Sequence, residues 1–392
     1  MKLLARVQAF IRKPFFSDYR TVFGLWMFIA VIAAIFKINR HNNFTIFRYV
    51  FWHTIEQTPL YISYPEYVDT NHYGPLFSLI VAPFAIFPDK VGFVLWSIAL
   101  ALCLYYAIRK LPIEKKSHIF IYWFCAHDLL TALFMSQFNI AIAAIILATF
   151  YCIQKEKDIW AALFIVLGTF VKLYGIVGLA FFFFSRHKLK FSISLIGWSI
   201  VMFVAPMLIS SPDYIISQYA AWWESLIDKG ALNMFATHQN ISLLGMIRKI
   251  SQDPSYSDIW IILTGVILFA LPYLRISQYK HLAFRYTLMA SVLLCVVLFS
   301  TGSESSSYII AFIGIAIWYV AAPWQRNKWD IALMVFAFIF ASFSNSDIIP
   351  RFIKKGLIQP YALKALPCVL IWLKLVYEMC VRNYAPKKVT DE

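Results

Sequence analysis

The chain has 392 residues, of which 61% are hydrophobic and only 14% are charged, and its net charge is +15. A soluble domain is about 45–50% apolar and about 25% charged, so this composition excludes an ordinary soluble domain and predicts an all-α protein that crosses a membrane many times. The basic excess does not indicate nucleic-acid binding, because most Lys and Arg residues lie in short segments between apolar runs, as in cytoplasmic loops.

The predicted spans begin after a basic leader. Residues 1–20 are interrupted by charges and lack the long apolar region of a signal peptide, so we expect them to stay in the cytoplasm. A spanning helix needs about 20 apolar residues, or somewhat fewer where flanking side chains reach the interface. The runs that meet this requirement are 21–37, 91–108, 118–134, 139–153, 191–209, 259–274, 286–300, 307–322, 331–345 and 362–380. Residues 381–392 are predicted to form a cytoplasmic tail.

The run 159–184 is long for one span and therefore ambiguous, and Lys172 is its only charged residue. A single crossing would place the basic segments downstream outside, against the positive-inside rule. We therefore predict a hairpin of two short helices with Lys172 at the turn, which gives about twelve spans and two cytoplasmic termini. The first arm reaches about 21 Å into a hydrocarbon core of about 30 Å. Lys172 would therefore face a wet cavity that opens outward.

Two long segments, 38–90 and 210–258, are predicted to be extracytoplasmic loops with interfacial helices. Within the first, residues 75–88 are apolar but short and contain three prolines, which indicates a helix in the outer interface. The second begins with the aromatic, amphipathic stretch "YIISQYAAWWESL", which is typical of an interfacial helix. No soluble domain or linker is evident, so residues 1–392 are predicted to form a single integral-membrane domain.

Four sequence blocks, in this order, resemble glycosyltransferase family 87, and the resemblance covers roughly residues 40–325. The blocks are "YGPLFSLIVAPFAIFP" (73–88), "SQFNIAIAAIIL" (136–147), "AALFIVLGTFVKLYGIVGLAFFFF" (161–184) and "HQNISLLGMIRKI" (238–250). The whole pattern looks most like an uncharacterised branch of that family, because the later "FSTGSESSSYIIAFIG" (299–314) is rich in serine where the family carries aromatic and histidine residues.

The resemblance implies a GT-C fold and an inverting enzyme that works without a metal or cofactor. It would take a hexose, with mannose the first candidate, from a polyprenyl-phosphate donor. The acceptor would be a glycolipid or glycan at the outer face of the bacterial cytoplasmic membrane. Lys172 is the expected ligand of the donor phosphate, because a lysine ammonium is a compact point charge that binds phosphate.

The acceptor hydroxyl needs a general base, for which a carboxylate near the cavity mouth is suited. The position that is usually acidic in the family corresponds here to Asn43. The first candidate base is therefore Asp69, and Glu66 and Glu304 are alternatives. Further side chains are expected to bind the sugar or the phosphate. They are Asn43, Arg48, His72, Tyr73, Gln137, Asn139, His238, Gln239 and Asn240.

Two other functions fit the same pattern. A transporter or flippase for lipid-linked sugars would also have many spans and charges inside the membrane, although it would usually show internal repeats and sites near the midplane. A catalytically silent relative would explain Asn43. Asp128 lies inside a predicted span, where it could have a functional role or simply pair with a neighbour such as His127.

Overall fold

A computed structural model of the chain describes residues 13–253, 255–346 and 348–385. Every regular element in these ranges is a helix, which confirms the all-α prediction. The α-helices are α1 (Tyr19–Lys37), α2 (Asn42–Glu56), α3 (Phe77–Ala85), α4 (Asp89–Lys110), α5 (Lys115–Phe134), α6 (Asn139–Gln154), α7 (Asp158–Lys172), α8 (Lys188–Val204), α9 (Pro212–Asn233), α10 (Leu243–Ser251), α11 (Ile259–Ala270), α12 (Leu282–Leu298), α13 (Tyr308–Ala321), α14 (Lys328–Phe336), α15 (Arg351–Ile353) and α16 (Leu366–Val381).

Each predicted apolar run coincides with helical structure. Three of the described helices are long and apolar enough to cross a membrane, namely α1, α4 and α8 with its 3-10 extension to Leu208. Several other apolar helices are shorter, with 10–17 residues. One of them consists of α11 and a 3-10 turn at Leu271–Leu274, which contains Pro272. The number of twelve spans and the sides on which the loops lie therefore remain predictions.

The centre of the bundle is formed by α6, α12 and α13, which are buried on nearly all faces. By contrast, α8 and α11 are almost equally apolar but largely exposed. Helices that are hydrophobic all round belong either inside a large core or against lipid. The bundle thus has an apolar interior and an apolar outer surface, as a membrane protein requires.

One basic residue within the last predicted span, Lys374, is accounted for by a buried charge network. Its Nζ lies 3.5 Å from Oε1 of Glu378 and 3.6 Å from Oδ1 of Asp330. Arg326 approaches the same Glu378 carboxylate at 3.1 Å. Buried charges persist when they are paired and hydrogen-bonded, so this cluster ties α14 to α16.

The segment 159–184 folds back on itself, which confirms the predicted hairpin and the position of Lys172 at its turn. Helix α7 ends at Lys172, and Leu173 adopts a left-handed φ of 43° with its N–H bonded to the Thr169 carbonyl. The chain then returns along α7 as a 3-10 helix, Tyr174–Phe184. The two arms touch through Gly168 and Gly175, where a Cβ on Gly175 would lie 2.4 Å from the Gly168 carbonyl carbon. Only glycine permits this approach.

The two long loops also contain helices. The short helix expected within residues 75–88 is present as α3, and the amphipathic stretch of the second loop lies in α9. Helix α2 was not singled out from the sequence, because its start is polar, but it buries Phe44, Phe47 and Val50 at helical spacing.

Candidate active site

The two long loops enclose a cavity of about 300 Å³ beside the turn of the 159–184 hairpin. Most of the residues expected from the sequence to form a site line this cavity. They are Asn43, Asp69, His72, Tyr73, Gln137, Lys172, Gln239 and Glu304. Residues from six separate parts of the chain therefore converge where the sequence predicted an outward-opening cavity around a lysine.

The ammonium of Lys172 is held mainly by uncharged groups. Its Nζ donates to Oδ1 of Asn139 at 2.7 Å, and the rings of Tyr73 and Tyr174 have their centroids 5.3 Å and 5.2 Å away. Among the described residues no carboxylate forms an ion pair with it within 4 Å, although Glu304 lies near enough to interact electrostatically. A cation held in this way keeps its charge available for an anionic ligand.

Asn139 supports Lys172 from outside the cavity. It lies at the start of α6, is 1% exposed, and is not among the residues that line the cavity. Its Nδ2 donates to the Oγ atoms of Ser306 and Ser307, both at 3.2 Å. The structure therefore places Asn139 behind Lys172, with every polar atom of its side chain bonded within the protein.

Asp69 lies in the cavity wall and is paired with a lysine that the sequence analysis did not identify. Both carboxylate oxygens accept from Nζ of Lys229, at 3.1 Å and 3.0 Å. Oδ1 also accepts from the Thr70 amide at 2.9 Å and lies 3.7 Å from Nε2 of His72. His72, and then Lys229, hold the pKa of Asp69 well below its usual value, because they favour the ionised carboxylate. Asp69 is thus a carboxylate at neutral pH.

The loop that carries Asp69 is fixed between α7 and α9. The amide of Gly74 donates to the Val171 carbonyl at 3.0 Å, next to Lys172 in the chain. On the other side, Nε1 of Trp222 in α9 donates to the His72 carbonyl at 2.9 Å. A Cβ at Gly74 would lie 2.0 Å from the Phe170 oxygen, so this close approach requires glycine.

Tyr73 joins this loop to the start of α6. Its hydroxyl donates to Oε1 of Gln137 at 2.8 Å, and burial raises the pKa of the phenol, so that it stays protonated. Asn43 approaches the same region, since its Nδ2 donates to the Met135 carbonyl at 2.7 Å. Asn43 and Asp69 therefore line one cavity, and of these two residues Asp69 is the one that supplies a carboxylate.

Glu304 also lines the cavity, but part of its carboxylate is used to cap the short helix Ser305–Ser307. Its side chain accepts from the Ser307 amide, and the Ser307 hydroxyl accepts from the Glu304 amide at 3.2 Å. This capping box satisfies backbone donors at the helix start. Glu304 therefore has a structural task that competes with a catalytic one.

Gln239 is brought to the cavity by a buried lysine. Nζ of Lys249 in α10 donates to the carbonyls of Ala236 and Gln239, at 2.8 Å and 2.9 Å. Burial lowers the pKa of Lys249 to about 8. The lysine thus fixes the backbone of the loop from which Gln239 reaches the cavity.

Three of the expected residues lie elsewhere. Arg48 donates from Nε to the Ala85 carbonyl at 3.2 Å and stabilises the end of α3. His238 is exposed and lines a separate, very small hollow. Asn240 is buried, and its Oδ1 accepts from the Ser242 hydroxyl at 2.7 Å. These three residues are polar, as expected for a binding site, but Arg48 and Asn240 make local hydrogen bonds and His238 lies outside the cavity.

The two remaining acidic residues considered from the sequence also lie outside the cavity. Glu66 is exposed and does not line it. Asp128 is buried, with Oδ2 accepting from the Ser342 hydroxyl at 2.7 Å, and Nδ1 of His127 lies 2.9 Å from that same hydroxyl. Asp128 and His127 are therefore linked through a serine from a distant π-helical segment.

Several lining residues were missed by sequence reasoning. They are Asn71, Tyr174, Lys229, Asn233, Ser300 and Thr301. The sequence does contain one indication of where Lys229 lies. It follows Trp222 by seven residues, so the two side chains are on the same face of α9. Nothing in the sequence alone indicates that this face covers the loop that carries Asp69.

A second, apolar groove of about 690 Å³ adjoins the polar cavity. The two share Leu173, Tyr174, Ser300 and Thr301 in their walls. The groove runs between the returning arm of the hairpin, α11 and α12. Its wall includes the exposed side chain of Val266, so the groove reaches the apolar surface of the bundle. A polar pocket thus lies directly beside an apolar groove and shares part of its wall.

These features define an all-helical membrane protein with a cationic, carboxylate-bearing pocket at one end of its bundle. The chain belongs to glycosyltransferase family 87, whose family model matches residues 71–301, more than half of its length. It is therefore a membrane glycosyltransferase, and the resemblance seen in the four sequence blocks is confirmed. No match was found among curated proteins.

Proposed function

We propose that this protein transfers a hexose, with mannose the first candidate, from a polyprenyl-phosphate donor to a glycolipid or glycan acceptor. The transfer would take place on the extracytoplasmic side of a bacterial cytoplasmic membrane. The observation that carries the proposal is that the pocket around Lys172 adjoins the apolar groove and shares four wall residues with it. Such a donor has an apolar chain, a single phosphate and a sugar, and these three parts match the groove, the lysine and the polar cavity.

The donor phosphate is proposed to lie against Lys172 and its chain in the groove. The ammonium has neutral partners in Asn139 and two tyrosine rings. It would stabilise the charge that grows on the phosphate as the sugar leaves, and stabilisation of developing charge by a prepositioned group is commonly the largest catalytic term. Gln137, Gln239 and Asn43 are the polar groups proposed to orient the sugar.

Asp69 is proposed as the general base. It takes the proton of the acceptor hydroxyl, whose oxygen forms the new bond to the anomeric carbon. The bond from that carbon to the phosphate oxygen breaks, and its electron pair stays on the lipid phosphate. Attack opposite the leaving group inverts the configuration. Glu304 is the second candidate base, although it also caps a helix.

The test is transfer of radiolabelled sugar from a polyprenyl-phosphate donor to a membrane lipid extract by the purified protein. Asp69 has a left-handed φ of 76°, a conformation that asparagine tolerates well. Asp69→Asn should therefore fold normally yet lose about 100-fold or more of its activity, as expected for a general base.

The matched control is Glu66→Gln, which makes the same chemical change in the same loop at an exposed residue outside the cavity. It should keep full activity. Transfer that survives in Asp69→Asn but fails in Glu304→Gln would move the role of base to Glu304. Movement of the lipid-linked sugar across liposomes without any transfer would instead support a flippase.

A further inference from the structure

Lys229 and Asp69 form the ion pair at the mouth of the polar cavity. Lys229 contacts both oxygens of the carboxylate and is the one described partner of Oδ2. Oδ1, by contrast, is also bonded to the Thr70 amide. In the structure Lys229 therefore occupies the carboxylate oxygen that would otherwise be free to accept a proton.

This pairing opposes catalysis by Asp69. A carboxylate held by an ammonium is a weaker base, because its negative charge is already stabilised. An acceptor hydroxyl that approaches Oδ2 would also compete with Lys229 for the same oxygen. A productive complex thus requires the ammonium to leave.

Lys229 is able to leave without the rest of α9. Its side chain is 22% exposed, lines the cavity, and is a flexible four-carbon stem. Helix α9 is held to the loop at two other points, by Trp222 on the His72 carbonyl and by the Ser225 hydroxyl, 2.9 Å from Nδ1 of His72.

We propose that Lys229 is a positioning residue that blocks Asp69 before substrate binds and leaves it when a substrate phosphate enters. Oδ2 then becomes free to take the acceptor proton. The inference rests on the proposed function, since it takes Asp69 as the base. The attraction that moves Lys229 increases during the reaction, because the phosphate gains a negative charge as the bond to the sugar breaks.

The groups that decide the protonation of Asp69 are few. His72 lies in its own loop, Lys229 comes from α9, and the other ionisable residues of the cavity are Lys172, Glu304, Tyr73 and Tyr174. Lys229 is the one proposed to move away when substrate binds. The charge of the phosphate acts on Asp69 with or without Lys229, so the part of the substrate effect that disappears when Lys229 is replaced is the part that reports on Lys229.

The experiment compares the acidic limbs of the pH profiles of kcat/KM and kcat. The first reports groups in the free enzyme and the second reports groups in the substrate complex. In the wild type, the limb of kcat should lie about one pH unit or more above that of kcat/KM, which is the usual effect of removing a nearby opposite charge from a carboxylate. In Lys229→Met the limb of kcat/KM should move up toward that of kcat, so that the separation shrinks to the part caused by the charge of the phosphate itself.

Lys229→Arg should preserve the separation between the limbs of kcat/KM and kcat. The control is Arg40→Gln, which removes an exposed positive charge from the same predicted outer loop as Asp69 and should leave both limbs unchanged. Lys229→Gln replaces the methionine variant if that protein is not monodisperse. Coincident limbs in the wild type would show that Lys229 stays on Asp69 throughout and would overturn the inference. In that case, loss of transfer in Asp69→Asn would still uphold Asp69 as the base, so the two proposals fail separately.

Discussion

The ammonium of Lys172 donates to Oδ1 of Asn139 across 2.7 Å, and this bond ties the turn of the 159–184 hairpin to the start of α6. Asn139 is itself held by Ser306 and Ser307. Three distant segments thereby fix one charged atom, so that its position does not depend on a flexible lysine stem alone. An ammonium fixed in this way is prepared for an anion and loses little entropy when the anion binds.

Replacing Lys172 by methionine keeps the apolar stem and removes the charge. Hydrogen bonds to charged groups contribute about 1.5–3 kcal/mol, so the affinity for polyprenyl phosphate should fall about 10- to 100-fold. Binding to the purified protein measures this directly. Lys190→Met, at an exposed position in α8, is the control and should bind as the wild type does. Equal affinity in the Lys172 variant would remove this lysine from the phosphate site.

Gly74→Ala should destabilise the protein, because its Cβ would lie 2.0 Å from the backbone oxygen of Phe170 and 2.9 Å from the Trp222 ring. Overpacking of this kind costs about 1–3 kcal/mol or more, and a lower melting temperature would reveal it. At Gly24 in α1 a Cβ meets nothing within 4 Å, so Gly24→Ala should melt no lower than the wild type. Equal melting of both variants would contradict the tight packing of the Asp69 loop against α7.

Filling the apolar groove should raise KM for donors with a long lipid chain but not for donors with a short one. Val266 lines the groove and is 58% exposed, so Val266→Trp blocks it without disturbing the core. Displacing about two methylene groups of the chain costs about 1.6 kcal/mol, and KM for a long-chain donor should therefore rise about tenfold. A donor with a short isoprenoid chain should keep its KM.

The control for this change is the neighbouring Ile267, which is 60% exposed and does not line the groove. Ile267→Trp should leave KM unchanged for both donors. A KM that rises equally for short and long chains in the Val266 variant would show that the groove does not hold the lipid.

Trp222 should matter for catalysis, whereas the adjacent Trp223 should not. Trp222→Phe keeps an aromatic ring but loses the bond from Nε1 to the His72 carbonyl. One hydrogen bond contributes about 1 kcal/mol, so loosening the Asp69 loop should lower kcat about fivefold. Trp223 is 63% exposed, and Trp223→Phe should have the wild-type kcat. A similar loss in both variants would assign the effect to α9 as a whole and not to its contact with the loop.

Much of this site follows from properties that are local in the sequence. A lysine within the apolar run 159–184 is costly in lipid, so its position in the chain is enough to predict a turn and a cavity. Asp69 was reached through the family resemblance, as the acidic candidate nearest to Asn43, and Gln137 through its position at a predicted turn. Arg48, His238 and Asn240 are polar residues of the two long predicted loops, but they lie outside the cavity.

The sequence by itself determined the membrane class, the helical fold, the family and the hairpin with its lysine, because hydrophobicity and charge act through the nearest residues along the chain. Only the tertiary structure decided which polar residues share a cavity. The contact between Lys229 and Asp69, the support of Lys172 by Asn139, and the junction of cavity and groove all join residues far apart in the chain. Such contacts depend on how helices pack against one another, and no local pattern of residues specifies that packing.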